Sequence, residues 1–213
     1  MFIKQFLTGG DRNFGYLVAD DSTKSAVIID PSYSPRSIFD YSKHKGYQIE
    51  YIFNTHNHYD HTNGNDRTLR LTGIHPLLFS DKDSRTGNTV NDGSQFPMGN
   101  LDLRIIHTPG HTSDSICIYI GDAVFTGDTL FVGKVGGTGF GDDARAEYDS
   151  LHYKLLKLPD STRVFPGHDY GVAPESTILN ERKTNPFLLQ LDIESFIDLK
   201  KNWLEYKRTH GIA

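Results

Sequence analysis

Cysteine is nearly absent from this chain, because Cys117 is the only one among 213 residues. A lone cysteine cannot form a disulfide within the chain and offers no set of thiolates for a metal ion. Since Cys117 lies in the apolar run 116–120, we expect it to be an inert core residue. Long apolar runs are also absent: no stretch approaches the ~18 residues of a membrane span, and no signal segment opens the sequence. We therefore expect no membrane partner and a cytoplasmic location.

Excess positive charge is the second feature that the sequence lacks. The formal net charge is −5 and no Lys/Arg run is present, so nucleic acid is not an expected partner. The glycine-rich stretch 133–142 lacks the Gly-Lys-Ser/Thr ending of a phosphate-binding loop. The composition, with 37% hydrophobic and 23% charged residues, is that of an ordinary globular protein. Its length fits one domain over residues 1–213 with a short C-terminal helical extension from about residue 187, and oligomers are compatible with it.

Histidine and aspartate are concentrated in one short segment, His-Asn-His-Tyr-Asp-His at residues 56–61, directly after the β-rich run 49–53. Alternate positions at a strand end project to the same side, so His56 and His58 can hold one ion. Asp60 and His61 follow where the chain bends, and they can face a second ion. The segment therefore predicts a metal site at the end of a buried strand.

The same pattern recurs three times along the chain: an apolar strand ends, and a metal-type ligand follows in a turn marked by Gly or Pro. The further ligands are His111, Asp128 and His168. Seven ligands are too many for one tetrahedral ion and suit two ions. The simplest division gives one ion three histidines, gives the other one aspartate and two histidines, and leaves the last aspartate as a bridge: His56, His58 and His111; Asp60, His61 and His168; and Asp128. Such ligands suit two divalent ions of Zn, Fe or Mn, and a pair of ions can activate water as a nucleophile.

Asp30 is a further polar residue at a strand end, because it follows the apolar run 25–29. A buried carboxylate there is costly unless it has a partner. Its role is either to cap the next turn or to support a metal ligand from behind, and the two roles are compatible.

The periodicity of the remaining sequence predicts the other elements. Strands are expected at 2–8, 13–20, 76–80, 101–106, 115–120, 123–126 and 163–165. Helices are expected at 35–46, up to about residue 71 after the histidine segment, at 143–158, at 174–184 and at 192–207. Residues 81–100 are expected to form a surface loop.

Four segments together resemble the metallo-β-lactamase superfamily: Thr-His-Asn-His-Tyr-Asp-His at 55–61, Thr-Pro-Gly-His-Thr at 108–112, Thr-Gly-Asp-Thr-Leu-Phe at 126–131 and Pro-Gly-His-Asp-Tyr at 166–170. They are most similar to the branch that contains glyoxalase II (hydroxyacylglutathione hydrolase) and the persulfide dioxygenases. The resemblance implies an α+β fold, a four-layer αββα sandwich with metals at one edge. It also implies that Asp60 and Asp128 are catalytic together with a metal-bridging hydroxide.

The resemblance favours a metal-dependent hydrolase of a small thioester or ester, similar to glyoxalase II and using a metal-bound hydroxide. The alternative is a persulfide (sulfur) dioxygenase with one Fe, and a lactonase would share the same ligands. Both branches differ from this chain after the bridging aspartate. Glyoxalase II has a Cys-Gly-Lys-Phe-Tyr-type segment there, and Gly137 stands where the persulfide dioxygenases have Arg. The residues that bind the small-molecule substrate therefore stay unknown, with Lys134, Phe140 and Tyr170 as candidates.

Overall fold

The computed structural model describes residues 1–211, so the last two residues of the predicted domain lie outside the described part. A first sheet contains β1 to β4, paired in chain order: Phe2–Gly9, Asn13–Ala19, Ser25–Ile29 and Gln48–Phe53. The first three strands are antiparallel neighbours. β3 and β4 run parallel, because helix α1 (Pro35–Lys45) carries the chain back to the start of the sheet.

A second sheet is built from six strands: β5 (Gln95–Met98), β6 (Leu101–His107), β7 (Ile116–Ile120), β8 (Ala123–Gly127), β11 (Arg163–Pro166) and β12 (Ser176–Thr177). Their order in the sheet is β12-β11-β8-β7-β6-β5. β8 and β11 are parallel and the other neighbours antiparallel. Between β8 and β11 the chain forms a small ribbon of β9 (Leu130–Phe131) and β10 (Lys134–Val135), and then helix α4 (Asp142–Asp149).

Three separate apolar cores divide the fold into four layers. Along β2, Tyr16 and Val18 point into the core between the two sheets, while Leu17 and Ala19 point to the outer face with α1. The second sheet alternates in the same way, since Ile118 faces the inter-sheet core and its neighbours face the helices. Strands buried on both faces explain why their sequences are almost continuously apolar. The predicted α+β fold with an αββα sandwich is confirmed.

The remaining helices are α2 (Tyr59–Thr62), α3 (Asn65–Thr72), α5 (Ile178–Thr184), α6 (Ile193–Lys201) and α7 (Trp203–His210). α1 and α3 end at Gly46 and Gly73, both with φ of 74°, as their sequences predicted. Across residues 1–211, no helix has the length and apolar character needed to cross a membrane. The cytoplasmic location stays a prediction.

Three predicted elements were wrong. Residues 95–98 lie inside the predicted loop but form β5, an edge strand that tolerates Pro97 because its other side pairs with nothing. Residues 76–80 form no strand, since only Leu77 bridges to the end of β4. The predicted last helix is divided at Asn202, whose side chain bonds the carbonyl of Asp198 and competes with the helical pattern.

The helix predicted at 143–158 begins at residue 142, but only its first part is α-helical. After α4 the chain passes through a π-helical turn at 150–154 and a short 3₁₀ turn at 155–157. The helix predicted at 174–184 begins only at Ile178, because Ser176–Thr177 pairs with β11 first. Thr177 then caps the helix by accepting a hydrogen bond from the Asn180 amide.

Candidate metal centre

The predicted ligands meet at one edge of the sandwich. β4 leads into the segment 54–58, and α2 then carries Asp60 and His61. In the second sheet, β6, β8 and β11 run in the same direction, so their carboxyl ends lie at a common edge. The turns that follow them contain His111, Asp128 and His168. Strand direction therefore explains how residues more than 100 positions apart come together.

Three histidines form the first ligand set, as the sequence predicted. His58 Nδ1 lies 3.0 Å from His56 Nε2 and 3.0 Å from His111 Nε2. Ring nitrogens at such distances, all within 4.8 Å of one another, converge on one point in space. His56 is buried and His58 is exposed, so the set opens to solvent on one side.

The second ligand set is formed by Asp60, His61 and His168. The two ring Nε2 atoms are 3.3 Å apart, and Asp60 Oδ2 lies 3.7 Å from His61 Nε2 and 3.3 Å from His168 Nε2. Asp128 lies between the two sets. Its Oδ1 is 3.3 Å from His61 Nε2, and its Oδ2 is 3.6 Å from His111 Nε2. The structure thus brings all seven predicted side chains together. His56, His61 and Asp128 form a third possible group that crosses the predicted division, so the division and the binding of ions stay predictions.

Nδ1, the ring nitrogen that points away from the cluster, has a hydrogen-bonding neighbour in His56, His111 and His168. His111 Nδ1 and His168 Nδ1 donate to the carbonyls of Gly137 and Asp11, each at 2.8 Å. His56 Nδ1 faces the Thr55 hydroxyl at 3.2 Å. A donor bond from one ring nitrogen leaves the other with a lone pair that can bind a metal, which is the usual arrangement in metal sites.

Asp30 is a buried carboxylate that accepts hydrogen bonds from Thr55 and His61. Its side chain is 1% exposed, Oδ1 accepts from the Thr55 amide at 2.8 Å, and Oδ2 accepts from the Thr55 hydroxyl at 2.8 Å and from His61 Nδ1 at 3.0 Å. The backbone at Asp30 has φ of 47°, which residues other than glycine rarely adopt. Of the two roles left open for Asp30, these contacts favour the support of ligand residues, directly for His61 and through Thr55 for His56.

The pKa values of the histidines differ between the two sets. Burial, with neighbouring His61, lowers the pKa of His56 to about 2, and burial also lowers the pKa of His111. For His61 burial acts in the same direction, but the carboxylates of Asp30 and Asp128 outweigh it and hold the pKa of His61 well above its usual value. Burial would raise the pKa of Asp128, yet the neighbouring imidazoles of His168 and His61 hold it well below the usual range.

The donor set fits divalent metal ions. Asp128 Oδ1 is buried and has no hydrogen-bond partner among the described residues, although an imidazole nitrogen lies 3.3 Å away. Buried polar atoms are nearly always satisfied, so an unpaired buried carboxylate oxygen beside an imidazole nitrogen fits a site for a cation. Cys117 is fully buried, as predicted, and burial raises its pKa to about 12.

Asn13 belongs to the site but was not predicted from the sequence. It is fully buried at the first position of β2, and its side-chain amide donates to Asp60 Oδ2 at 2.8 Å. Ser32 also bonds the Asp60 carbonyl, and its own carbonyl lies so close to Gly64 that a Cβ there would clash at 2.0 Å. The available signal was a polar residue heading a strand that is otherwise completely apolar, which is costly without a partner.

The candidate substrate residues differ in position. Tyr170 stacks on the His168 ring, with centroids 4.5 Å apart, and donates from its hydroxyl to Asp11. Lys134 lies over the Tyr170 ring, with Nζ 4.0 Å from the centroid. Phe140 is 53% exposed, and Lys201 from α6 lies over its ring at 5.9 Å. Tyr170 is therefore adjacent to a predicted ligand residue, Lys134 contacts Tyr170, and Phe140 lies beside α6.

Comparison with known proteins shows the family of this chain. Residues 8–168 match the Metallo-beta-lactamase superfamily. The chain is similar to a protein of Schizosaccharomyces pombe named probable hydroxyacylglutathione hydrolase glo2, with 34% identity over 202 residues that cover 91% of this chain and 76% of the relative.

Two solved structures have the same fold. ETHE1 from Myxococcus xanthus superimposes with a TM-score of 0.85 at 33% identity, covering 95% of this chain and 91% of ETHE1. A di-iron-bound form of the protein TTHA1623 superimposes with a TM-score of 0.70 at 27% identity, covering 88% of this chain and 100% of that protein.

Proposed function

The chain belongs to the metallo-beta-lactamase superfamily and is an enzyme of it, and from that premise we propose that it is a metal-dependent hydrolase of a small thioester or ester. Divalent metal binding is a property of the superfamily, and the clustered His and Asp side chains agree with it. One observation carries the proposal: Asp128 is close to both ligand sets, 3.3 Å from His61 Nε2 and 3.6 Å from His111 Nε2. Two sets joined by one carboxylate suit two ions better than one.

Two bound divalent ions would supply a hydroxide formed from water with a pKa of about 7 and would polarise the acyl carbonyl. The chain's own residues fix the geometry of that chemistry. Asp128, whose pKa is held well below its usual range, stays ionised throughout the neutral range. Asp60 accepts a hydrogen bond from Asn13. We propose that Asp60 orients the nucleophile, because its Oδ2 lies 3.3 Å from His168 Nε2, another member of the second set.

We propose that the substrate carries an anionic group, as a glutathione thioester does. Lys134 and Arg12 both lie over the Tyr170 ring, with Lys134 Nζ 4.0 Å and Arg12 Cζ 5.1 Å from its centroid. Burial, followed by the nearby charges of Lys207 and Arg12, lowers the pKa of Lys134, which is a sign of crowded positive charge. Such a concentration beside the ligand sets attracts anions.

A persulfide dioxygenase with one Fe is the second candidate, and the similarity to ETHE1 is the observation that favours it. ETHE1, a persulfide dioxygenase, superimposes on this chain with a TM-score of 0.85 at 33% identity. The two candidates differ in their use of the second ligand set: a two-ion hydrolase needs it, and a one-iron enzyme does not.

Two assays on the same preparation distinguish these functions. Hydrolysis of a hydroxyacylglutathione is followed by the loss of thioester absorbance, and dioxygenase activity by oxygen uptake with glutathione persulfide. We expect thioester hydrolysis, lost in His58→Ala and Asp128→Ala together with metal and with little change in far-UV circular dichroism. The control is His44→Ala, because His44 is exposed on α1. Oxygen uptake that depends on persulfide, without thioester hydrolysis, would contradict the hydrolase proposal.

A further inference from the structure

The backbone around His111 is crowded at two glycines, Gly136 and Gly110. On one side, Gly136 is so close that a Cβ there would lie 3.1 Å from His111 Nδ1 and 2.1 Å from the Asp128 carbonyl. On the other side, Gly110 has φ of 148°, and a Cβ there would lie 2.3 Å from the Cβ of Glu147. The ring nitrogen Nδ1 then donates to the next carbonyl of the glycine loop, that of Gly137.

Directly behind this glycine loop lies a buried ion pair that the proposed reaction does not use. Lys200 Nζ of α6 is 2.5 Å from Glu147 Oε2 of α4, and their side chains are 6% and 0% exposed. The same Lys200 Nζ donates to the Gly136 carbonyl at 2.7 Å. Burial of two charges is costly, and a buried pair often gives no net gain in stability over apolar residues. Stability alone is therefore a weak reason for this pair.

The contacts form a continuous path from α6 to a predicted ligand residue. Lys200 fixes the peptide carbonyl of Gly136, and the adjacent carbonyl of Gly137 is thereby aimed at His111. Glu147 anchors Lys200 and also packs against Gly110, the residue before His111. A carbonyl acceptor at Nδ1 requires that this nitrogen carries the proton, which leaves the Nε2 lone pair directed at His58 and Asp128.

We propose that Lys200 and Glu147 are positioning residues that hold His111 in one tautomer and one orientation for metal binding. The helix α6 is thereby part of the metal centre, although it supplies no ligand. The inference rests on the proposed function and its metal site. The spacing of residues in the sequence does not reveal that Lys200 and Glu147 support a ligand. Loss of such a supporting contact typically weakens metal affinity about 10–100-fold.

The test replaces the pair without leaving a lone buried charge, in the double variant Lys200→Met/Glu147→Gln. The matched control is Arg163→Met/Asp122→Asn, which removes the exposed ion pair of β11 at 3.2 Å. Long-range ¹⁵N–¹H NMR spectra of the metal-free proteins report which nitrogen of His111 carries the proton. Titration with Zn²⁺ against a chelator gives the affinity of each ion.

We expect a single Nδ1-protonated tautomer of His111 in the wild type and the control. The double variant should show mixed tautomers, with one of the two Zn²⁺ ions bound about 10–100-fold more weakly. A single tautomer and wild-type Zn²⁺ affinity in the double variant would overturn the proposal. If the wild type bound no metal, the proposed function would fail, while the NMR comparison would still decide the inference. If the double variant does not fold, Lys200→Met/Glu147→Met carries the same test with an apolar pair, and Lys200→Arg is expected to keep the wild-type tautomer.

Discussion

Replacing Asp30 by Asn is expected to weaken metal binding at the Asp60–His61–His168 set more than at the other set. Asp30 accepts three hydrogen bonds, two of them on Oδ2, from the Thr55 hydroxyl and His61 Nδ1. An asparagine has one carbonyl oxygen, and its NH₂ group would face donors at the other position. At least one of the three donors therefore loses its acceptor.

The magnitude follows from the His61 bond, which is lost when the NH₂ group takes the Oδ2 position and becomes a bond to a neutral acceptor when the carbonyl oxygen does. A hydrogen bond to a charged group contributes about 1.5–3 kcal/mol. Loss of the partner that orients a metal-binding histidine costs about 10–100-fold in affinity, or roughly 1.4–2.8 kcal/mol, which is the same range. Asp30 reaches His56 only through the Thr55 hydroxyl, 3.2 Å from Nδ1, so we expect less than about a tenfold effect at the first set.

Zn²⁺ titration against a chelator resolves the two dissociation constants in Asp30→Asn and the wild type. Asp40→Asn is the matched control, because it breaks only an exposed ion pair with Arg36 at 2.8 Å, worth ~0–1 kcal/mol. Two unchanged constants, or a larger effect at the His56–His58–His111 set, would refute the supporting role of Asp30.

Three further predictions concern pH, the core and the substrate. The pKa of His168 is raised because hydrogen bonding with Asp128 outweighs burial, and the pKa of His61 is raised well above its usual value, so both rings hold protons more strongly than His56 does. Binding of an ion by the Asp60–His61–His168 set should therefore release protons, and its affinity should rise from pH 6 to 8. Fewer protons should be released at the His56–His58–His111 set. Equal proton release at both sets, measured by calorimetric titration in two buffers, would contradict this prediction. Phe125→Ala should reduce the free energy of unfolding by about 3–5 kcal/mol in urea titrations, because Phe125 is 1% exposed between the sheets; a loss below ~1 kcal/mol would refute that burial argument. Lys134→Met should raise KM for an anionic thioester and leave KM for a neutral one unchanged; equal shifts for both would exclude charge recognition by Lys134.

The ligand residues were predictable because each one is a local event in the sequence. His56, Asp128 and His168 all follow an apolar strand within a few residues, and strand direction then brings them together. The division between two sets was also suggested by spacing, and the two predicted groups are both present in the structure, beside a third that contains His56, His61 and Asp128. Local patterns likewise gave most strands to within one or two residues.

The residues that support the ligands could not be predicted in this way. Asn13 meets Asp60 across 47 positions, and Lys200 meets Gly136 across 64, so only the packed sheets and helices define these pairs. Local patterns also failed where tertiary contacts override them. Phe96 and Met98 are fully buried in the inter-sheet core although Pro97 and the polar residues before them indicate a loop.

The number of metal ions per chain tests the central claim most directly. Protein purified without added metal is analysed by mass spectrometry of its metals, for the wild type and for His168→Ala, which removes one ligand of the second set. Two divalent ions in the wild type and one in His168→Ala are expected. A single Fe per chain in both proteins would contradict the two-ion hydrolase.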